Sequence, residues 1–130
     1  MAALTDKSRA LIDAPNYAFL ATVDDDGAPQ VSPVWIDRDG DTILVNTAAG
    51  RVKDRNMRRE PRIAISIPSG GDFYEKVDIR GHVVDLVEGE EAERHIDKLA
   101  KKYTGEDTYP NRKEGERRVI FRIEPDRIHG

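Results

Sequence analysis

The chain contains no cysteine, which excludes disulfides, thiolate nucleophiles and cysteine-held metals. Its three histidines, His82, His95 and His129, stand far apart and lack the spacing of a ligand pair on one helical turn. No run approaches the ~20 apolar residues that a membrane span needs. Met1 to Asp13 carries Asp6, Lys7 and Arg9 where a signal peptide would be apolar. The expectation is a cytoplasmic chain without membrane association. Aromatic residues are 6% and hydrophobic residues 38% of the 130 positions, so the core must be lean. A chain of this length makes one domain, 1–130, burying roughly two thirds of its unfolded surface. The formal charge of −4 argues against nucleic acid as a general partner.

What the chain has in quantity is charge, at 35% of residues, and its arrangement is informative. Thr5 can cap a short helix over Asp6–Asp13 that Pro15 closes. Tyr17–Val23, Gln30–Asp37 and Asp41–Asn46 read as strands joined by the Asp/Gly turns at 24–27 and 37–40. Pro33 inside its run implies a sheet edge or a bulge. Arg62–Ile67 and Lys76–Val87 are further strands, with a bulge expected at Gly81. Ala92, Ile96, Leu99 and Tyr103 form an apolar stripe on a helix over Glu88–Tyr103. A polar loop, Thr104–Glu116, leads to a last strand over Arg117–Ile123, with Asp126–His129 a candidate extension. Strands joined by short hairpins, without regular crossover helices, indicate a mainly β fold: an antiparallel barrel with a few helices outside it.

Between the third strand and the fourth, Asn46-Thr47-Ala48-Ala49-Gly50-Arg51-Val52-Lys53 opens a strongly basic helix. From Arg51 to Arg62 there are six Lys/Arg against two Asp/Glu, about +4 in an acidic chain. Free N–H groups, the positive dipole end and the Arg51 and Lys53 side chains can converge there on an anion. A merely solvated basic face is the competing explanation, and the placement after a strand and Gly50 favours the site. Asn56 can serve the site or tie the helix to a strand. Gly27-Ala28-Pro29-Gln30-Val31-Ser32-Pro33-Val34-Trp35 is the second constellation. Its prolines stiffen a strand and free backbone groups, Ser32 offers a hydroxyl, and Trp35 can stack on a ring or fill a core.

These two motifs, residues 27–35 and 46–62, resemble the split β-barrel flavin-binding superfamily related to pyridoxamine 5′-phosphate oxidase. More narrowly, they resemble its branch that uses the deazaflavin coenzyme F420. The likeness extends over nearly the whole chain, including the ending Arg118-Val-Ile-Phe-Arg-Ile-Glu-Pro-Asp-Arg-Ile-His-Gly. It implies a split antiparallel barrel and a homodimer with the cofactor at the subunit interface. It also implies that Arg51 and Lys53 hold the cofactor phosphate, that Asn46, Thr47 and Ala48 line the approach, and that Pro33, Val34 and Trp35 sit against the ring. The reactive atom then belongs to the cofactor, so no universal catalytic side chain is implied.

The activity implied is hydride transfer from reduced F420 to an electron-poor small molecule. An FMN-dependent oxidoreductase of the same fold, or a flavin or F420 carrier without turnover, are the alternatives. Arg55, Arg58 and Arg59, with Arg112, Lys113, Arg117 and Arg118, could extend positive charge toward the carboxylates of the F420 tail. Tyr74, Tyr103, Tyr109 and His82 are candidate proton donors that spacing does not separate. Arg127-Ile128-His129 matches a substrate element of the oxidase only superficially, so it reads as a strand end and vitamin B6 oxidation is not expected. Single-stranded nucleic acid binding has no aromatic residues interleaved with the basic helix to support it.

Overall fold

A computed structural model describes residues 2–130. Alternation explains the strands, as in Arg62–Pro68, where Ile63, Ile65 and Ile67 are buried and Arg62 and Ala64 are exposed. The order is α1 (Asp6–Asp13), β1 (Ala18–Val23), β2 (Pro29–Val34), β3 (Ile36–Asp39), β4 (Thr42–Ala48), α2 (Val52–Arg59), β5 (Arg62–Pro68), β6 (Lys76–Glu88), α3 (Glu90–Thr104) and β7 (Arg118–His129). The seven strands form one sheet in the order β2-β1-β5-β6-β7-β4-β3, and every neighbouring pair is antiparallel.

The run expected as one strand over Gln30–Asp37 is two. β2 pairs with β1 at one edge of the sheet, and β3 pairs with β4 at the other. Only Trp35 separates them, so the sheet must curl until its two edges meet there. This is the split barrel. Pro33 has no N–H to give to a further strand and sits in the edge strand β2, as its type requires. Two half-buried groups hold the crossing. The Tyr103 hydroxyl accepts from the Ile36 N–H at 3.1 Å and donates to the Asn16 carbonyl at 2.7 Å. The Lys102 ammonium donates to the carbonyls of Ile12, at the end of α1, and of Ile36.

Inside the curl, Leu20, Ile43, Ile65, Ile79, Phe121 and Ile123 meet Leu11 and Ile12 of α1. Outside it, α3 lays Ala92 on Leu44 and Ile120. The stripe of Ala92, Ile96 and Leu99 is buried as the spacing predicts. β4 is therefore covered on both faces, with six of its seven residues buried. β6 and β7 pair with two register shifts, one beside Gly81. A Cβ at Gly81 would stand 2.6 Å from the Glu124 carbonyl oxygen, so the close approach needs glycine. The candidate extension Asp126–His129 belongs to β7, where Arg127, Ile128 and His129 pair with Arg80, Ile79 and Asp78. Among the described residues, no helix is long and apolar enough to cross a membrane.

Candidate functional site

The β2–β3 crossing, the end of β4, the start of α2 and the face of α3 border one cleft of about 190 Å³. Gly50, at φ +94, turns the chain from β4 into α2 in a conformation that side chains rarely adopt. Asp54 closes this turn. Its buried carboxylate accepts from the Gly50 N–H at 2.8 Å and from Arg58 Nε at 2.8 Å. One side chain of α2 thus supplies the negative charge that a helix start attracts.

Seven residues named from sequence border the cleft together: Pro33, Val34, Trp35, Asn46, Thr47, Arg51 and Lys53. Three do not. Ser32 lies opposite Leu20 in the β1–β2 ladder, which turns it to the core side of an edge strand. Ala48 is buried in the β4–β7 ladder opposite Arg118. Asn56 donates to Thr22 Oγ1 at 3.0 Å and Asp24 Oδ1 at 2.9 Å, tying α2 to β1.

The cleft is cationic. Arg51, Lys53 and Arg118 border it, and Glu116 is the carboxylate that contacts two of them, Arg51 at 3.4 Å and Arg118 at 3.1 Å. Among the described residues, no carboxylate stands within ion-pair distance of Lys53. Burial, then the charges of Arg51 and Arg118, push the Lys53 ammonium below its ordinary pKa. Arg118 is buried, and its Nε donates to Asn46 Oδ1 at 2.9 Å. The buried Thr47 hydroxyl has no hydrogen-bond partner among the described residues and stands in the cleft wall. A buried hydroxyl without a partner is costly unless something else satisfies it.

The opposite wall is aromatic. Trp35 stacks on Tyr103 (5.3 Å between centroids, 6° between planes) and meets the edge of Tyr109 at 5.9 Å. Tyr103 therefore already covers part of the indole. Tyr109, a candidate proton donor from sequence, and Arg118, expected to reach the cofactor tail, also line it; Tyr17, Ile96 and Asn111 complete the lining and were not assigned to the site from sequence. The signal for Arg118 was faint: one basic residue among several after a polar loop.

Of the basic residues expected to reach further, Arg118 borders the cleft and three are committed elsewhere. Arg58 bridges Asp54 and Glu88 (2.8 and 2.7 Å), Arg59 donates to the Val23 carbonyl, and Arg112 pairs with Glu93 and Asp97. Of the four candidate proton donors, Tyr109 alone borders the cleft. Tyr74 is exposed, and His82 pairs with Asp126 at 2.8 Å on another part of the sheet. Burial pushes the Tyr103 hydroxyl up to about 12, and both its hydrogen-bonding roles are occupied.

A split antiparallel barrel with a cationic cleft walled by aromatics defines a class of cofactor-binding barrel proteins. The chain belongs to the pyridoxamine 5′-phosphate oxidase family, which matches residues 4–130. This fold binds flavin-type cofactors, and the family includes oxidoreductases. Among solved structures, one described as an F420 reductase is similar at 28% identity and a TM-score of 0.83, covering 97% of this chain and 98% of that one. A conserved hypothetical protein from Mycobacterium tuberculosis is 23% identical with a TM-score of 0.71, over 97% of this chain and 84% of that one. A Listeria innocua protein described as a candidate pyridoxamine 5′-phosphate oxidase is 23% identical with a TM-score of 0.70, over 95% and 94%. The last two bear on the fold alone.

Proposed function

We propose that this protein is an oxidoreductase that binds coenzyme F420 in the cationic cleft and reduces an electron-poor small molecule. The observation that carries it is the pairing of three cations, answered by one carboxylate, with an aromatic wall and an unpartnered hydroxyl. Arg51 and Lys53 would hold the phosphate, Arg118 would add its charge from the cleft floor, and Thr47 would supply a hydrogen bond. Pro33, Val34 and Trp35 would orient the ring and exclude water from it. When bound, the cofactor supplies the hydride chemistry. The choice of F420 rests on the likeness to the F420 reductase, because Arg58, Arg59 and Arg112 are already paired.

A second copy of the chain would complete the site. A cleft of about 190 Å³ is smaller than the ~300–1,000 Å³ usual for ligand pockets. Beside it, Tyr17, Phe19 and Phe73 expose apolar surface along one rim. A homodimer covering that rim would enclose the ring and hide these side chains.

Fluorescence titration with F420 and with FMN, at low and high salt, tests the reading. F420 should bind, more tightly at low salt. Replacing Arg51 with alanine removes a charged hydrogen bond worth ~1.5–3 kcal/mol, so affinity should fall about 10- to 100-fold. Tight FMN binding with F420 ignored would favour the FMN enzyme. Binding without turnover across a panel of acceptors would favour a carrier. Sedimentation velocity checks the dimer.

A further inference from the structure

A chain of hydrogen bonds, buried except at its outer end, runs from the cleft through His95 of α3 to Asp37 of β3. Arg118 Nε donates to Asn46 Oδ1 at 2.9 Å. The Asn46 amide nitrogen donates to the Ala92 carbonyl at 3.0 Å and meets His95 Nδ1 at 3.1 Å. His95 Nε2 meets Asp37 Oδ2 at 3.1 Å, and Lys98 reaches the same carboxylate oxygen at 3.3 Å. Arg118, Asn46 and His95 are all buried.

Donor and acceptor roles along this chain are determined. A flipped Asn46 amide would set its oxygen against the Ala92 carbonyl and its NH₂ against Arg118 Nε. The amide is therefore held as described, and its NH₂ needs an acceptor at His95 Nδ1. The imidazole must be neutral with its proton on Nε2, where Asp37 accepts it. A proton added at Nδ1 would put N–H against NH₂ in a buried place. Turning the Asn46 amide relieves that conflict but breaks its bonds to Ala92 and Arg118.

We propose that His95 is a positioning residue: its neutral Nε2–H form orients Arg118 in the cleft through Asn46, and a second proton on the ring frees the Arg118 Nε, leaves the guanidinium to Glu116 at 3.1 Å, and weakens anion binding. The charged groups facing the ring and its carboxylate partner are Asp37 from β3, at 3.1 Å, and Lys98 from α3, at 3.3 Å from the same Asp37 oxygen. Arg118 from β7 lies beyond Asn46, and Glu93 of α3 faces the Arg118 backbone N–H at 2.8 Å.

The binding arm rests on the cofactor reading above, so the test has an arm that does not. In the protein alone, ¹⁵N NMR should show His95 as the Nε2–H tautomer at pH 8. As the pH is lowered, the Arg118 Nε–H signal should then shift together with the His95 ring signals. An Nδ1–H tautomer, a ring that stays neutral throughout, or an Arg118 signal indifferent to His95 would overturn the proposal. In the binding arm, F420 and FMN are titrated against wild type and His95→Gln. Glutamine keeps an acceptor for Asn46 and a donor for Asp37 but cannot take a proton. Wild-type affinity should fall roughly 10-fold through the His95 midpoint relative to the variant, the equivalent of one charged hydrogen bond. Equal pH slopes in both proteins would overturn it. If neither cofactor binds at any pH, the cofactor reading fails and the NMR result alone decides.

Discussion

Lys53 should oppose the stability of the protein while serving its ligand, and replacing it with methionine separates the two effects. The ammonium is half-buried beside Arg51 and Arg118, and both burial and those two charges push its pKa down. A lysine with a folded pKa below its unfolded one is penalised in the folded state wherever it is charged. Stability rises only as pH climbs through the folded value toward 10.5, so at pH 7 the whole penalty is present. Methionine keeps an unbranched apolar side chain and removes the charge. Because the head group is partly solvated, the relief should be a few tenths to about 1 kcal/mol. In a chain of this size that raises Tm by about 1–4 °C. The same change removes a charge-assisted contact to an anion worth ~1.5–3 kcal/mol, weakening F420 binding about 10- to 100-fold. Thermal unfolding and fluorescence titration of the two proteins give both numbers. A variant that melts lower and binds as before would refute the reasoning, since Lys53 would then be a structural cation.

Three other perturbations test the frame around the cleft. Burial raises the pKa of Asp37, but the hydrogen bond from His95 and the charge of Lys98 outweigh it and hold the carboxyl near 2. Its stabilisation is present above about 4 and lost as pH falls through about 2, so Asp37→Asn should remove about 1–2 kcal/mol of acid-labile stability, read as Tm against pH. Lys102→Met leaves the Ile12 and Ile36 carbonyls without their shared donor and should cost about 1–3 kcal/mol in urea unfolding. Gly81→Ala drives a Cβ to 2.6 Å from a backbone oxygen; a loss of about 1–3 kcal/mol is expected, and an unchanged urea midpoint would show that β6 and β7 can part locally.

Patterns local in the chain carried most of the fold. Three- and four-residue spacing placed α3, alternation placed β6, and Asp/Gly turns placed the first hairpins, because each depends on neighbours within a few residues. The break at Trp35 did not show. Residues 30–37 alternate like one strand, and only pairing with β1 at one edge and β4 at the other divides them. Glu124 and Pro125 fell between the last expected strand, Arg117–Ile123, and its candidate extension, yet β7 runs through them by a register shift against Gly81.

The sequence by itself determined that a cationic segment follows a strand and that cysteine chemistry is excluded, and the family resemblance implied that Pro33, Val34 and Trp35 belong near that segment. Tertiary structure alone decided which charges stay available. Arg58, Arg59 and Arg112 look like Arg51 and Lys53 in a string of letters, but acceptors from β1, β6 and α3 engage the first three. It also brought Arg118 into the cleft, 72 residues from the Asn46 that orients it. The physical reason is range: propensity and periodicity act over a few residues, whereas pairing of charges depends on separations that exist only once the sheet has curled.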